Sequence, residues 1–150
     1  MNWMQCLWAF VGCMCFALVF NIRSRRILIL ASLGAGLGWM VYLLLSFMGS
    51  DVMQSFFATI VLSFYSEIMA RVFLVPVTTF QTIALLPLVP GSGIYRTMEY
   101  YVMGDTELFI QTGLHTFAIA GALAIGVLMV SSLVRAWTML RRQRKKKGTC

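Results

Sequence analysis

PLVPGSG, residues 87–93, ends a long apolar stretch and is followed by Ile94, Tyr95 and Arg96. Its two prolines lack backbone donors and clash with a preceding helical turn, while its glycines accept conformations that other residues resist. A helix that enters this stretch must therefore bend or end. Inside a membrane, broken helices often mark transport sites, but Pro and Gly also act as plain stop signals at the interface. The stretch alone leaves both interpretations open.

The composition indicates an integral membrane protein. Hydrophobic residues make up 60% of the chain and charged residues 11%, whereas an average soluble domain has about 25% charged residues. The length of 150 residues predicts a single transmembrane domain over residues 1–150.

Five apolar runs approach the ~20 residues that a helix needs to cross the hydrocarbon core. They cover residues 3–20, 27–48, 53–70, 72–90 and 114–134, and a basic tail follows at 135–150. Only Arg71 separates the third run from the fourth, so one long helix or a re-entrant segment could also be drawn there. The sequence thus predicts an all-α integral membrane fold of about five transmembrane helices, the fourth broken or ended by the PxxPG motif.

Charge placement favours five crossings over four. With the N-terminus outside, eleven of the twelve basic residues lie on or near the cytoplasmic side, and only Arg96 lies outside. Four crossings would put the arginines of residues 23–26 and the basic tail on opposite faces. Because the tail directly follows a span, its charges fix orientation and attract anionic membrane lipid. Nucleic acid is therefore not an expected partner.

The segment between the last two runs, residues 91–113, is predicted to form a short amphipathic helix at the membrane surface. Apolar and aromatic residues recur there at helical spacing: Tyr95, Met98, Tyr101 and Val102. Asp105 suits the N-cap of the final helix, since its carboxylate can accept from free amides of the first turn. We expect that helix to start well before its buried part and to extend to about Arg142.

Small residues form rows in two spans. Gly34 and Gly38 lie one turn apart in the second, and Ala118, Ala122 and Gly126 form a similar ridge in the last. Close backbone approach over small residues is a main way for helices to associate in lipid. We expect these rows to pack within the chain.

Polar side chains inside the spans are the sharper signal. The third span carries Ser55, Thr59, Ser63, Ser66 and Glu67 on one face, and the fourth carries Thr78, Thr79, Gln81 and Thr82 just before the break. Both stripes should face a protein interior or an aqueous path, because polar groups facing lipid are costly. Glu67 is a candidate for ion coupling, but its i to i+4 spacing to Arg71 fits a structural tie equally well.

Enzyme and metal chemistry find no support in the sequence. His115 is the single histidine, with no carboxylate at a convincing spacing for a catalytic triad. The four cysteines, Cys6, Cys13, Cys15 and Cys150, lack metal-ligand spacing. We expect no catalytic residues, no metal and no cofactor.

Several of these features together resemble a known family. They are the Phe20-Asn21-Ile22 connector followed by arginines, the Pro87-x-x-Pro90-Gly91 break with Tyr95 just after it, and the Ala/Gly-rich last span before a basic tail. The chain resembles the small membrane subunit of the threonine/serine exporter family, close to the small component of the two-part bacterial succinate exporter. The resemblance implies export of an amino acid or dicarboxylate across the bacterial inner membrane, together with a larger membrane subunit.

On that resemblance, we expect the substrate path where the third and fourth spans meet the partner. Polar side chains and freed backbone would line the path, and Arg96 would attract a carboxylate near the outer mouth. The expected path residues are Thr78, Thr79, Gln81, Thr82, Pro87, Pro90, Gly91, Ser92, Gly93, Tyr95 and Arg96. Ion coupling is assigned to Glu67 with Arg71. A non-transporting assembly or regulatory subunit, a small homo-oligomeric channel and a higher oligomer stay open as alternatives.

Overall fold

The computed structural model describes residues 3–20 and 24–147, with side chains described for 4–20, 24–47 and 49–140. Asn21 and Ile22 of the connector, Arg23, and residues 148–150 with Cys150 lie outside the described residues. The described chain forms α1 (Trp3–Val19), α2 (Arg25–Leu44), α3 (Asp51–Phe73), α4 (Val77–Leu85), α5 (Gly91–Met103) and α6 (Thr106–Lys147). Short 3-10 turns extend α2 through Leu45–Met48 and α4 through Leu86–Leu88. The prediction of an all-α membrane fold is confirmed.

The number of crossings is three or four by length and composition. Arg25–Phe47, Asp51–Phe73 and Thr106–Leu140 each qualify alone, and Val77–Leu88 with Gly91–Met103 qualifies as a pair bent by 53°. The 17 residues of α1 rise only ~26 Å, just short of a hydrocarbon core of ~30 Å. Five crossings therefore stay a prediction.

The chain reverses between α3 and α4 at residues 74–76, beyond Arg71. α3 continues through Arg71 to Phe73, Leu74 takes a φ of 54°, and Pro76 precedes the first turn of α4. The N–H of Val75 donates to the Ala70 carbonyl at 3.1 Å, which closes the helix end as a Schellman motif. The third and fourth apolar runs are thus two separate helices, and their boundary lies several residues later than the hydropathy pattern indicates.

The predicted break at the PxxPG motif is present. α4 tightens into the 3-10 turn Leu86–Leu88, Val89 is extended, and α5 begins at Gly91. α5 packs on α6. Its predicted apolar residues are exposed, with Tyr95 at 69% and Val102 at 84%. α5 therefore forms within the segment where the spacing of apolar residues predicted a helix. Its location at a membrane surface stays a prediction.

α3 lies at the centre of the helix bundle, in contact with α2, α4 and α6. Small residues allow this close packing: a Cβ on Gly34 would lie 2.8 Å from Tyr65 Cε1, and one on Gly126 would lie 3.1 Å from Thr59 Cγ2. A Cβ on Gly38 would collide with the Leu62 side chain. The expected intrachain packing is confirmed for these glycines, whereas Ala118 is exposed.

The last helix begins as predicted and ends later than predicted. Asp105 Oδ1 accepts from the Leu108 N–H at 3.2 Å, so the predicted N-cap is formed. The helix then continues to Lys147, five residues beyond Arg142. α3 and α6 run parallel, because Asp51 meets His115 at one end and Arg71 meets Thr138 at the other.

Candidate functional site

Two ends of the bundle carry the polar residues. The basic end is where Arg71 of α3 and Arg135 of α6 lie. The proline end is where the segment from Pro87 to Arg96 lies, beside the starts of α3 and α6. α3 connects the two ends.

The polar stripe of α3, named the α3 seam here, consists of Ser55, Thr59, Ser63, Ser66 and Glu67. Its four hydroxyl residues are at most 2% exposed, and the Glu67 side chain is 13% exposed. The seam therefore faces the protein interior, as the cost of exposing polar groups to lipid predicts. Ser55 lines a pocket at the proline end and Glu67 lines a cleft at the basic end. The seam thus joins two cavities.

The proline-end pocket has a volume of about 360 Å³ and is enclosed by α2, α3, α5, α6 and the break. Its lining comprises Trp39, Tyr42, Asp51, Ser55, Pro87, Leu88, Val89, Pro90, Ser92, Gly93, Arg96, Thr112, His115, Thr116 and Ile119. Five of the expected path residues lie here: Pro87, Pro90, Ser92, Gly93 and Arg96. A Cβ on Gly93 would lie 2.5 Å from Thr116 Oγ1, so glycine lets α5 sit against α6.

Polar and ionisable side chains gather around Asp51 in this pocket. Asp51 Oδ2 lies 4.0 Å from His115 Nε2, and both side chains are 54% exposed. The Tyr42 hydroxyl lies close to the Asp51 carboxylate, and Tyr42 stacks on Trp39 with ring centroids 5.3 Å apart. Arg96 supplies a cation from the same lining. The pocket can therefore accept a carboxylate beside Arg96 and an ammonium beside Asp51.

The basic-end cleft has a volume of about 380 Å³ between α3, α4 and α6. Arg71 Nε lies 3.7 Å from Glu67 Oε2, and Arg71 Nη2 donates to Thr138 Oγ1 at 2.9 Å. Arg135, Thr78 and Gln81 complete its polar lining together with Ser131. The predicted i to i+4 pair is formed, so Arg71 ties α3 to α6 at this end. An ion-coupling role of Glu67 stays a prediction.

Part of the polar stripe of α4 does not face the interior of this chain, and the expected aqueous path or partner contact for it stays a prediction. Thr78 and Thr82 are exposed, while the buried face of the helix carries Phe80, Ile83 and Ala84. The Thr82 hydroxyl is satisfied locally, since Thr82 Oγ1 donates to the Thr78 carbonyl at 2.8 Å. Burying the large apolar face of α4 stabilises the fold more than burying a few hydroxyls, which can bond carbonyls of their own helix.

The expected path residues of α4 consequently separate. Thr78 and Gln81 line the basic-end cleft, whereas Thr78, Thr79 and Thr82 line a small pocket of about 220 Å³ beside Phe20. Gly91 and Tyr95 line neither the proline-end pocket nor the cleft, and Tyr95 is 69% exposed. The structure thus places the expected path residues at two ends rather than in one site.

Several polar pocket residues were not part of the expected path. Trp39, Tyr42, Asp51 and His115 reach the proline-end pocket from three helices, and Arg135 and Thr138 reach the cleft from α6. The sequence signal for them is an ionisable or aromatic side chain near the end of a span. That signal is too common to select them without tertiary contacts.

Comparison with known proteins assigns the chain to a family. Its sequence matches the family described as Threonine/Serine exporter, ThrE, over residues 5–133. No curated protein matches the chain, and no solved structure matches it. The match covers nearly all of α1, all of α2 to α5 and most of α6, including the α3 seam and the proline-end pocket, and it ends before the cleft residues that α6 supplies from Val134 onward. The chain therefore belongs to the threonine/serine exporter family.

Proposed function

We propose that the chain is one subunit of a secondary transporter that exports a small polar metabolite, jointly with a larger membrane subunit, across the bacterial inner membrane. The observation that carries the proposal is the α3 seam. It is a row of buried polar residues that leads from one polar cavity to another at the opposite end of a span. Membrane helices rarely bury polar rows without a partner or a pathway, because each unsatisfied group is costly in lipid.

The charge pattern supports a direction for this path. The basic end faces the cytoplasm under the positive-inside tendency, so the cleft beside Arg71 and Arg135 would receive the substrate. The proline-end pocket with Arg96 would then release it outside. An amino acid or a dicarboxylate fits both cavities, because both kinds of metabolite carry a carboxylate and both cavities contain arginine, which binds carboxylates well.

Coupling is assigned to an ion gradient, and Glu67 is the carboxylate placed to take part. Its side chain is mostly buried, yet it lines the cleft. A carboxylate at such a position can exchange a proton with the cytoplasm when Arg71 moves away. The Glu67–Arg71 contact is therefore proposed as the coupling element.

The larger subunit is proposed to cover α4. Thr78 and Thr82 place hydroxyls on the outer surface of this chain, where a second set of helices would shield them from lipid and complete the path. Transporters commonly form their sites at the interface of two related halves. Residues of α6 also present a long apolar face, with Phe117 77% and Leu128 67% exposed.

The proposal is tested by reconstitution of efflux. Proteoliposomes with this chain, with a large subunit of the family, or with both are loaded with labelled L-threonine, L-serine or succinate. We expect gradient-dependent efflux only from the pair. Efflux from the large subunit alone would assign this chain to assembly or regulation, and gradient-independent efflux from this chain alone would make it a channel.

A further inference from the structure

Two hydroxyls in the middle of the α3 seam are buried without a hydrogen-bond partner. Ser63 and Ser66 are both 0% exposed, and neither Oγ has a partner among the described residues. Burying an unpaired hydroxyl is unfavourable, so buried polar groups are nearly always paired. Two such groups within one turn call for an explanation.

Three other buried hydroxyls among the described residues are satisfied by their own helices. Thr59 Oγ1 donates to the Ser55 carbonyl at 2.7 Å, Ser32 Oγ to the Leu28 carbonyl at 2.9 Å, and Thr116 Oγ1 to the Thr112 carbonyl at 2.7 Å. The usual solution for a buried Ser or Thr in a helix is therefore common in this fold. Ser63 and Ser66 depart from it.

Ser63 lies against α6, midway between the cavities. Thr59, one turn before it, contacts Gly126, and Glu67, one turn after it, lines the cleft with Val134. Since α3 and α6 run parallel, Ser63 lies at the level of Val130, which is 1% exposed. The Ser63 hydroxyl is thus closed off by α6.

Ser66 lies on the neighbouring row of α3, which packs against α2 and α4. Leu62 of that row packs in a cluster with Ala84, and Ala70 packs in a cluster with Phe80. Ser66 is placed between Leu62 and Ala70 at helical spacing. The two orphan hydroxyls therefore lie where α2, α4 and α6 close over α3, between the proline-end pocket and the basic-end cleft.

We infer that Ser63 and Ser66 form a central binding site for the carboxylate of the transported metabolite. Residues one turn apart on a helix have Cβ atoms about 5–6 Å apart, so their two hydroxyls can donate to the two oxygens of one carboxylate. The bound carboxylate supplies the partners that the closed conformation lacks. This inference rests on the proposed transport function.

Movement of α4 would give access to this site. The helix is bounded by residues 74–76 on one side and by the break from Pro87 to Pro90 on the other. It contacts α2 and α3 through an apolar face and can therefore shift as a unit. Such a shift uncovers Ser66 first, because α4 packs on its row.

The absence of partners makes alanine substitution a sharp test. Removing an unpaired hydroxyl costs the fold no hydrogen bond, so Ser63→Ala, Ser66→Ala and the double variant should reach wild-type abundance. The matched control is Ser32→Ala, which removes a buried serine that bonds its own helix outside the seam. A fall in abundance for the seam variants but not for the control would overturn the premise of unpaired hydroxyls.

Efflux of L-serine and of succinate by the reconstituted pair measures the site itself. We expect each single seam variant to raise KM about tenfold, as loss of a hydrogen bond to a charged group does, and the Ser32→Ala control to leave KM unchanged. Ethanolamine, which resembles serine without its carboxylate, should inhibit weakly and equally in all variants. Wild-type KM in the double variant would overturn the inference alone, whereas lack of efflux from the wild-type pair would overturn the proposed function with it.

Discussion

The polar stripes of α3 and α4 have similar residues and opposite surroundings. Ser55, Thr59, Ser63 and Ser66 of α3 are buried under other helices, whereas Thr78 and Thr82 of α4 are exposed. α3 has neighbours on three sides, and α4 packs its apolar face on α2 and α3. Polar composition therefore shows that a span is unusual, but only the neighbouring helices decide whether its polar face turns inward.

The prediction with the largest expected effect concerns helix continuity, which is interrupted after α4 but not within α3. α4 is short because prolines bound it, while α3 is uninterrupted over 23 residues. Replacing Pro87 and Pro90 by Ala restores backbone donors and lets α4 continue toward α5. We expect efflux by the pair to fall at least about tenfold with abundance unchanged. Full efflux by the double variant would reduce the motif to a helix stop.

The second prediction tests whether α6 buries the α3 seam. Gly126→Leu places a side chain against Thr59 and Phe56 of α3, so it should separate α3 from α6 and destabilise the fold by about 1–3 kcal/mol. Gly121→Leu is the matched control, because a Cβ at Gly121 meets nothing within 4 Å. Thermal unfolding in detergent measures both variants. Equal stability of the two would contradict the packing of α6 on the seam.

The third prediction concerns the charged end of the seam. Glu67→Gln keeps the size and hydrogen bonding of the side chain but removes its titratable charge, so efflux should lose its dependence on the proton gradient while the protein persists. A structural tie predicts instead a reduced abundance that Arg71→Gln partly restores. Wild-type abundance together with wild-type gradient dependence would exclude Glu67 from both roles.

The prediction with the smallest expected effect concerns the exposed part of the polar stripe of α4. Thr78→Val with Thr82→Val removes two hydroxyls that are satisfied or exposed within this chain, so the isolated chain should keep its stability within about 0.5 kcal/mol. Co-purification with the large subunit should decrease, because the partner loses two polar contacts. Unchanged co-purification would indicate that this face meets lipid.

Local chemistry was predictable from the sequence. The Asp105 cap, the close packing at Gly34, Gly38 and Gly126, and the break at the PxxPG motif each follow from the conformational limits of one or two residues. The turn between α3 and α4 did not, because Leu74 adopts a left-handed conformation that leucine rarely takes. Pro76 was the available signal for a boundary there.

The cavities were less predictable than the helices. Asp51 and His115 are 64 positions apart and meet only because α3 and α6 run parallel. The face of α4 that packs inward depends on α2, whose glycines admit a close neighbour. Such outcomes depend on contacts between distant segments, which spacing within one helix does not contain.

The parallel course of α3 and α6 also has a consequence for the membrane itself. The chain must return from the basic end to the proline end before α6 begins, and α4 with its 3-10 turn does so in 12 residues, Val77–Leu88. These residues rise only ~20 Å, against ~35 Å for α3 and ~30 Å for a bilayer core. The bilayer beside α4 must therefore thin, or α5 must complete the crossing beyond the 53° bend. A thinned bilayer would make the transmembrane voltage fall over a shorter distance and concentrate the electric field on the middle of the bundle.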